Sequence, residues 1–260
     1  MTGVWWQDDF YVYDVESTGV RVRADRVVTA TLLHVDVANR ATSAQEWLAD
    51  PGVEIPTGAS DIHGITTEMA REKGRPAVEV IAEIADALRA VFESGKALVI
   101  YNAPFDLTMT GCEIFRYLGD PFEVPECVVD PLVLDKRLNQ VVRGKGARKL
   151  VNTCRRNGIV LSEQDAHTSA GDTLAAGRLA WAQMSRSRML SDLSLRDLHS
   201  KQKDWFRDQS IDFAGWLRTK DLAAAERCVA EAETWPMHPL SLEPFEEPAQ
   251  VPESGGAPPF

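Results

Sequence analysis

Between positions 10 and 48 the chain carries three short segments in which β-branched or aromatic residues alternate with others: FYVYDVE (10–16), VVTATLLHV (27–35) and AQEWL (44–48). A period of two in segments this short marks strands with one buried face, and three in succession with brief connections predict an antiparallel meander. The stretch 51–66 is rich in Pro and Gly and reads as a loop. The period then changes. Residues 76–92 put Val80, Ile81, Ile84, Leu88 and Val91 on one helical face. ALVIY (97–101) is a short apolar run of buried-strand type that passes into a helix over about 104–118, and CVVD (127–130) repeats the junction with a helix from Pro131. Helices are also expected at 148–157, stopped by Gly158, and at about 171–184. Strands early and strand-to-helix junctions later predict an α/β domain with a mixed sheet.

A chain of 260 residues, 44% of them hydrophobic, can bury one substantial core and carry an extension. From about 185 the pattern shifts to Leu190, Leu193, Leu195 and Leu198, then Trp205, Phe206, Phe213, Trp216 and Leu217, which suggests helices with a wet face. The expected division is a catalytic domain over 1–187, a helical extension over 188–232, and a Pro-rich, acidic tail over 233–260 that is extended or disordered. No run of about 18 apolar residues is present, and MTGVWWQDDF has neither a basic start nor an apolar stretch, so a soluble, cytoplasmic protein without a membrane partner is expected. Cys112, Cys127, Cys154 and Cys228 form no CxxC pair, and reduced, mostly buried thiols are expected.

A net charge of −11 argues against a polyanionic partner until its distribution is considered. Residues 136–162 contain no acid, while Lys136, Arg137, Arg143, Lys145, Arg148, Lys149, Arg155 and Arg156 fall within them. Such a run can receive phosphates or can simply be a solvated face.

Three groups of residues bear on chemistry. Asp14 and Glu16, two apart on a strand, point to the same side, where like charges gain from a divalent cation between them; a pair of exposed edge acids is the structural alternative. Asp106, in NAPFD (102–106), opens a helix at the carboxyl end of a strand, the usual crevice of an α/β sheet, although an acid in a first turn also compensates the helix dipole. HTSAGD (167–172) sets His167 in a loop five residues before Asp172 at a helix start, and an unperturbed imidazole suits a base that takes a proton from water near neutrality.

In this order the pieces resemble the DEDDh branch of the DnaQ-like exonucleases, the family that includes the proofreading subunits of bacterial replicative DNA polymerases. DVESTG is similar to its first motif, IHGIT (62–66) to the loop before its first helix, NAPFD to its second motif, VVDPLVLDKRL to a following strand-helix segment and H-x4-D to its third motif, over roughly 10–184. The resemblance implies a ribonuclease H-like mixed five-stranded sheet flanked by helices. It also implies two Mg²⁺ or Mn²⁺ ions on Asp14, Glu16, Asp106 and Asp172, with Asp14 bridging and His167 as general base. The implied reaction is 3′→5′ hydrolysis of terminal phosphodiesters to nucleoside 5′-monophosphates. Ser17, Thr18 and Gly19 would approach the terminal nucleotide through backbone groups, Phe105 and Ile65 would line its base and sugar, and Asn102 would order the loop. His63 would lie near the base edge or bond within its own loop, and Asp130, outside the four-acid pattern, is read as structural. Arg143, Lys145, Arg148 and Lys149 would guide the strand. The implied partners are single-stranded DNA 3′ ends, with RNA as the alternative strand, and replication proteins. A catalytically silent binding module is the rival of a different class; it would normally have lost one of these acids. The segment LHSKQKDWFRDQSIDFAGWLR resembles an appendage of exonuclease-like proteins from actinobacteria and their phages, and no chemistry attaches to it.

Overall fold

The structure, a computed structural model, describes residues 4–160 and 169–243. After a 3-10 turn at Trp5–Gln7, β1 (Asp9–Ser17), β2 (Val27–Asp36) and β3 (Ala41–Asp50) form the expected meander, with Val12 opposite Leu33 and Thr31 opposite Glu46. Two helices follow, α1 (Thr57–His63) and α2 (Thr67–Lys73), then a two-residue strand β4 (Arg75–Pro76). The Pro- and Gly-rich loop expected over 51–66 is thus helical in its second half. Helix α1 buries none of its residues, so it leaves no apolar period to read. Next come α3 (Ala77–Ser94), β5 (Leu98–Val99), α4 (Ala103–Leu118), β6 (Val128–Val129), α5 (Pro131–Leu138) and α6 (Leu150–Arg156). The described chain closes with α7 (Ser169–Arg186), α8 (Arg188–Ser191), α9 (Leu195–Leu217) and α10 (Leu222–Ala230). The sheet is mixed, in the order β4-β3-β2-β1-β5-β6, so the five expected strands gain a sixth, the short edge strand β4.

Alternation along β1 divides the core in two. Tyr13 and Val15 face α3 and α4 in a cluster with Ile81, Ile84, Leu88 and Leu107, while Phe10 and Val12 face α7 with Ala176, Ala180 and Met184. Helix α7 lies close to the sheet because Gly177 stands over Val12; a Cβ there would come within 2.9 Å of Val12 Cγ2. The outer edge of β6 is covered by α9. Val128 N–H donates to His199 Nδ1 (3.3 Å), Gln202 Nε2 donates to the Val128 carbonyl (3.0 Å), and Asp130 N–H donates to Gln202 Oε1 (2.7 Å). Side chains thereby supply the partners a neighbouring strand would have given, which protects the edge.

The tail expectation changes over residues 233–243. Trp235 is buried against His199, His238 N–H donates to Thr108 Oγ1 (2.9 Å) and the Cys112 thiol to the Ser241 carbonyl (3.3 Å). This part has no helix or strand, yet it packs along α4. All four cysteines are free, three of them buried. Among the described residues no helix is long and apolar enough to cross a membrane.

Candidate active site

Parallel pairing of β1 with β5 spans only Tyr11 opposite Leu98 and Val12 opposite Val99, after which the chain turns into α4. The turn is made at Asn102, whose backbone lies in the left-handed region at φ 71° and ψ 50°, a conformation Asn tolerates better than most residues. Beyond Val12 the amide of β1 therefore lacks a strand partner, and Asp106 takes that place: Val15 N–H donates to Asp106 Oδ1 at 3.0 Å. Asp106 is 3% exposed and fixed to β1 by this bond, so helix dipole compensation alone does not explain it.

Asp14 and Glu16 lie on the same side of β1 as Phe10 and Val12, the side covered by α7. Gly177 stands over Val12. Asp172 precedes Gly177 by five residues, about 7.5 Å of helix rise, and Asp14 follows Val12 by about 6.6 Å of strand. The two spacings bring Asp172 level with Asp14. The electrostatics agree with this placement. Burial first, then the charges of Asp106, Glu16 and Asp172, hold the Asp14 carboxyl well above the usual carboxylate range. Burial and Asp172 push Glu16 up to about 7. Asp106 is raised by burial and by Asp130 and Glu16, against the lowering effect of the Val15 amide. Four acids are thus gathered at one crevice. Among the described residues no three His, Cys, Asp or Glu side chains form a ready ion-binding group. The donor set nevertheless fits hard divalent ions, which take carboxylate oxygens and would offset both the burial and the mutual repulsion that raise these pKa values. His167 lies outside the described residues.

The flanking residues divide. Ser17 Oγ donates to the Gly19 carbonyl (2.7 Å), and Thr18 is bound to Arg26 through both its amide and its hydroxyl (2.9 and 3.0 Å). Gly19 has a reason internal to the protein, since a Cβ would come within 2.5 Å of Asp25 Oδ2. Asp25, missed in the sequence, holds this turn by accepting from Arg21 N–H at 2.7 Å. His63 Nδ1 accepts from Ile65 N–H (3.2 Å), the bond within its own loop, while its Nε2 is buried. Ile65 packs against Val28, Ile55 and Ala70, and Phe105 against the α3–α4 side of the core, both only partly buried.

Asp130 has a full structural account. Oδ1 accepts from the amides of Asn102 (3.0 Å) and Leu132 (2.8 Å) and Oδ2 from that of Ala103 (3.0 Å), so one buried carboxylate caps α5 and ties down the start of α4. The basic segment is corrected at Arg148. Its guanidinium pairs with Asp135, which is 0% exposed, and donates to the Asn139 and Val142 carbonyls (2.8 and 3.3 Å); Arg156 shares Asp135 at 2.9 Å. A buried acid claims Arg148, and Tyr101 Oη donates to its carbonyl at 2.6 Å. Arg143, Lys145 and Lys149 are exposed.

An α/β sheet with helices on both faces and acids gathered where β1 and β5 part defines the ribonuclease H-like class of folds. The chain belongs to the exonuclease family: the RNase_T model, described as Exonuclease, matches residues 11–180. It is 31% identical over 172 residues to a DNA polymerase III subunit epsilon-like protein of Rhodobacter capsulatus, covering 64% of this chain and 22% of that protein. It is 26% identical over 183 residues to a DNA polymerase III PolC-type of Oceanobacillus iheyensis, covering 70% of this chain and 12% of that protein. The chain therefore spans less than a quarter of the length of either relative. In fold it is similar to E. coli exonuclease I in complex with a dT13 oligonucleotide (TM-score 0.57, 22% identity, 72% of this chain and 43% of that one). It is likewise similar to exonuclease I from Methylocaldum szegediense (TM-score 0.55, 25% identity, 70% of this chain and 42% of that one).

Proposed function

We propose that the chain is a metal-dependent 3′→5′ exonuclease that removes nucleoside 5′-monophosphates from single-stranded or frayed DNA. The observation that carries this reading is the gathering of Asp14, Glu16, Asp106 and Asp172 in one crevice of an exonuclease-family fold, with Asp14, Glu16 and Asp106 raised in pKa by burial first and then by neighbouring acids. Two Mg²⁺ or Mn²⁺ ions on these carboxylates would polarise the scissile phosphate and acidify the attacking water. Asp14, within electrostatic reach of the other three acids, would share in holding the ions. Asp106, pinned by Val15, presents its remaining oxygen in a fixed direction. His167 takes the proton from the attacking water. The backbone of Ser17, Thr18 and Gly19 meets the terminal nucleotide, Phe105 and Ile65 flank its base and sugar, and His63 offers a buried ring nitrogen beside them. Asn102 sets the entry of α4, and Arg143, Lys145 and Lys149 receive the phosphates of the incoming strand, so that contact is local on an acidic protein.

The dT13 oligonucleotide bound by a structural neighbour supports single-stranded DNA as substrate, and the polymerase III relatives support replication proteins as partners. The test is a time course on a 5′-labelled strand, DNA and RNA in parallel, in Mg²⁺, in Mn²⁺ and with EDTA. Stepwise shortening of DNA from the 3′ end, abolished by EDTA, is expected. Shortening of RNA alone would move the substrate assignment, and intact strands of both kinds would leave a binding module as the better reading.

A further inference from the structure

The turn of residues 17–26 follows Glu16 directly and holds Val20 out at 83% exposure. Its neck is closed by the paired bonds between Thr18 and Arg26, and its far end is held from outside. The Arg23 carbonyl accepts from Glu243 N–H (3.0 Å) and from Arg116 of α4 (3.3 Å), and the Arg23 guanidinium donates twice to Glu231 Oε1 (3.3 Å each). Arg116 is itself set by Glu113, 1% exposed, at 2.8 Å. The segment 231–243 that supplies Glu231 and Glu243 is held on α4 over residues 237–241. Thr108 and Cys112 bond it, and Gly111 makes room for it, since a Cβ there would lie 2.8 Å from Leu240 Cδ2 and 3.1 Å from Met237 Sδ. Helix α4 also carries Asp106, two residues before Thr108.

We infer that Arg23 and the strap of residues 231–243 are positioning elements of the candidate site, holding the turn that contacts the terminal nucleotide in fixed register with Asp106 and α4. The inference rests on the exonuclease reading. The carboxylates stand on β1, α4 and α7, outside both the turn and the strap, so loosening the strap acts first on the nucleotide-contacting turn. Loss should therefore fall on substrate binding more than on turnover.

Arg23→Ala, Glu231→Ala, the double variant and Gly111→Val are made in the full chain and assayed on a 5′-labelled single strand, with melting temperature measured beside the kinetics. Arg23→Ala and Gly111→Val are expected to raise KM about fivefold or more with kcat within about twofold. Arg23→Lys recovers part of the loss, and the double variant is no worse than Arg23→Ala, because both single changes cut one tie. An active wild type whose variants melt earlier at unchanged KM, or lose kcat instead of KM, overturns the inference alone. A wild type that leaves every strand intact overturns the exonuclease reading, and this inference with it.

Discussion

At Asp14 the chain holds a carboxyl that burial and three neighbouring acids keep well above the usual range, a poor arrangement for stability without a cation. Asp14→Asn removes one of the mutually repelling charges. Hydrolysis should fall at least a hundredfold while the metal-free melting temperature holds or rises; retained activity would remove Asp14 from the site. Asp9 shows the opposite case. Burial raises its pKa, but hydrogen bonds from Lys96 and His34 outweigh that and bring it down to about 2. A carboxyl depressed in the folded state contributes stability that is present above its unfolded pKa of 3.8 and is lost as pH falls toward 2. Asp9→Asn should therefore cost about 1 kcal/mol at pH 6 after solvent screening and almost nothing near pH 2, read from urea unfolding at both values. The motif acids and the structural reading of Asp130 were legible in the sequence because they rest on local spacing. The roles of Asp25 and Asp135 were not, since each is defined by amides or guanidinium groups that folding brings to it.

Elements that read alike in the sequence behave differently once packed. The basic segment contains both a structural ion pair and exposed cations. Arg148→Ala should cost about 2 kcal/mol, because Asp135 is fully buried and keeps one guanidinium, Arg156, beside the Asn139 side-chain amide, and thermal melts check it. Lys145→Ala with Lys149→Ala should leave the melt unchanged but weaken DNA binding and flatten its salt dependence; an unaltered salt slope would remove this loop from the strand path. Helices α3, α4, α5 and α7 were legible because each has a strong apolar period or a Pro start. Helices α1 and α2 were not, being seven residues each and lightly buried. The strands β5 and β6 were legible as apolar runs, whereas β4 is two residues at a sheet edge and has no pattern to detect.

For the molecule as a whole, a divalent cation that binds the folded carboxylates and not the unfolded chain must stabilise it by mass action. Millimolar Mn²⁺ or Mg²⁺ should raise the melting temperature of the wild type over that in EDTA and do so less for Asp14→Asn; equal shifts in both would mean the ions bind elsewhere. Coverage of the β6 edge by His199 and Gln202, and of α4 by residues 233–243, shows that the C-terminal third is bonded to the sheet and its helices. By itself the sequence determined the order of most strands and helices, the mixed α/β class and the spacing of the motif acids, because periodicity and spacing are properties of neighbouring residues. Tertiary structure alone decided that Asp172 comes level with Asp14, that Arg148 belongs to Asp135 and that the tail grips Arg23. Those outcomes depend on which distant groups packing brings within hydrogen-bond or Coulomb reach, and no local pattern encodes that distance.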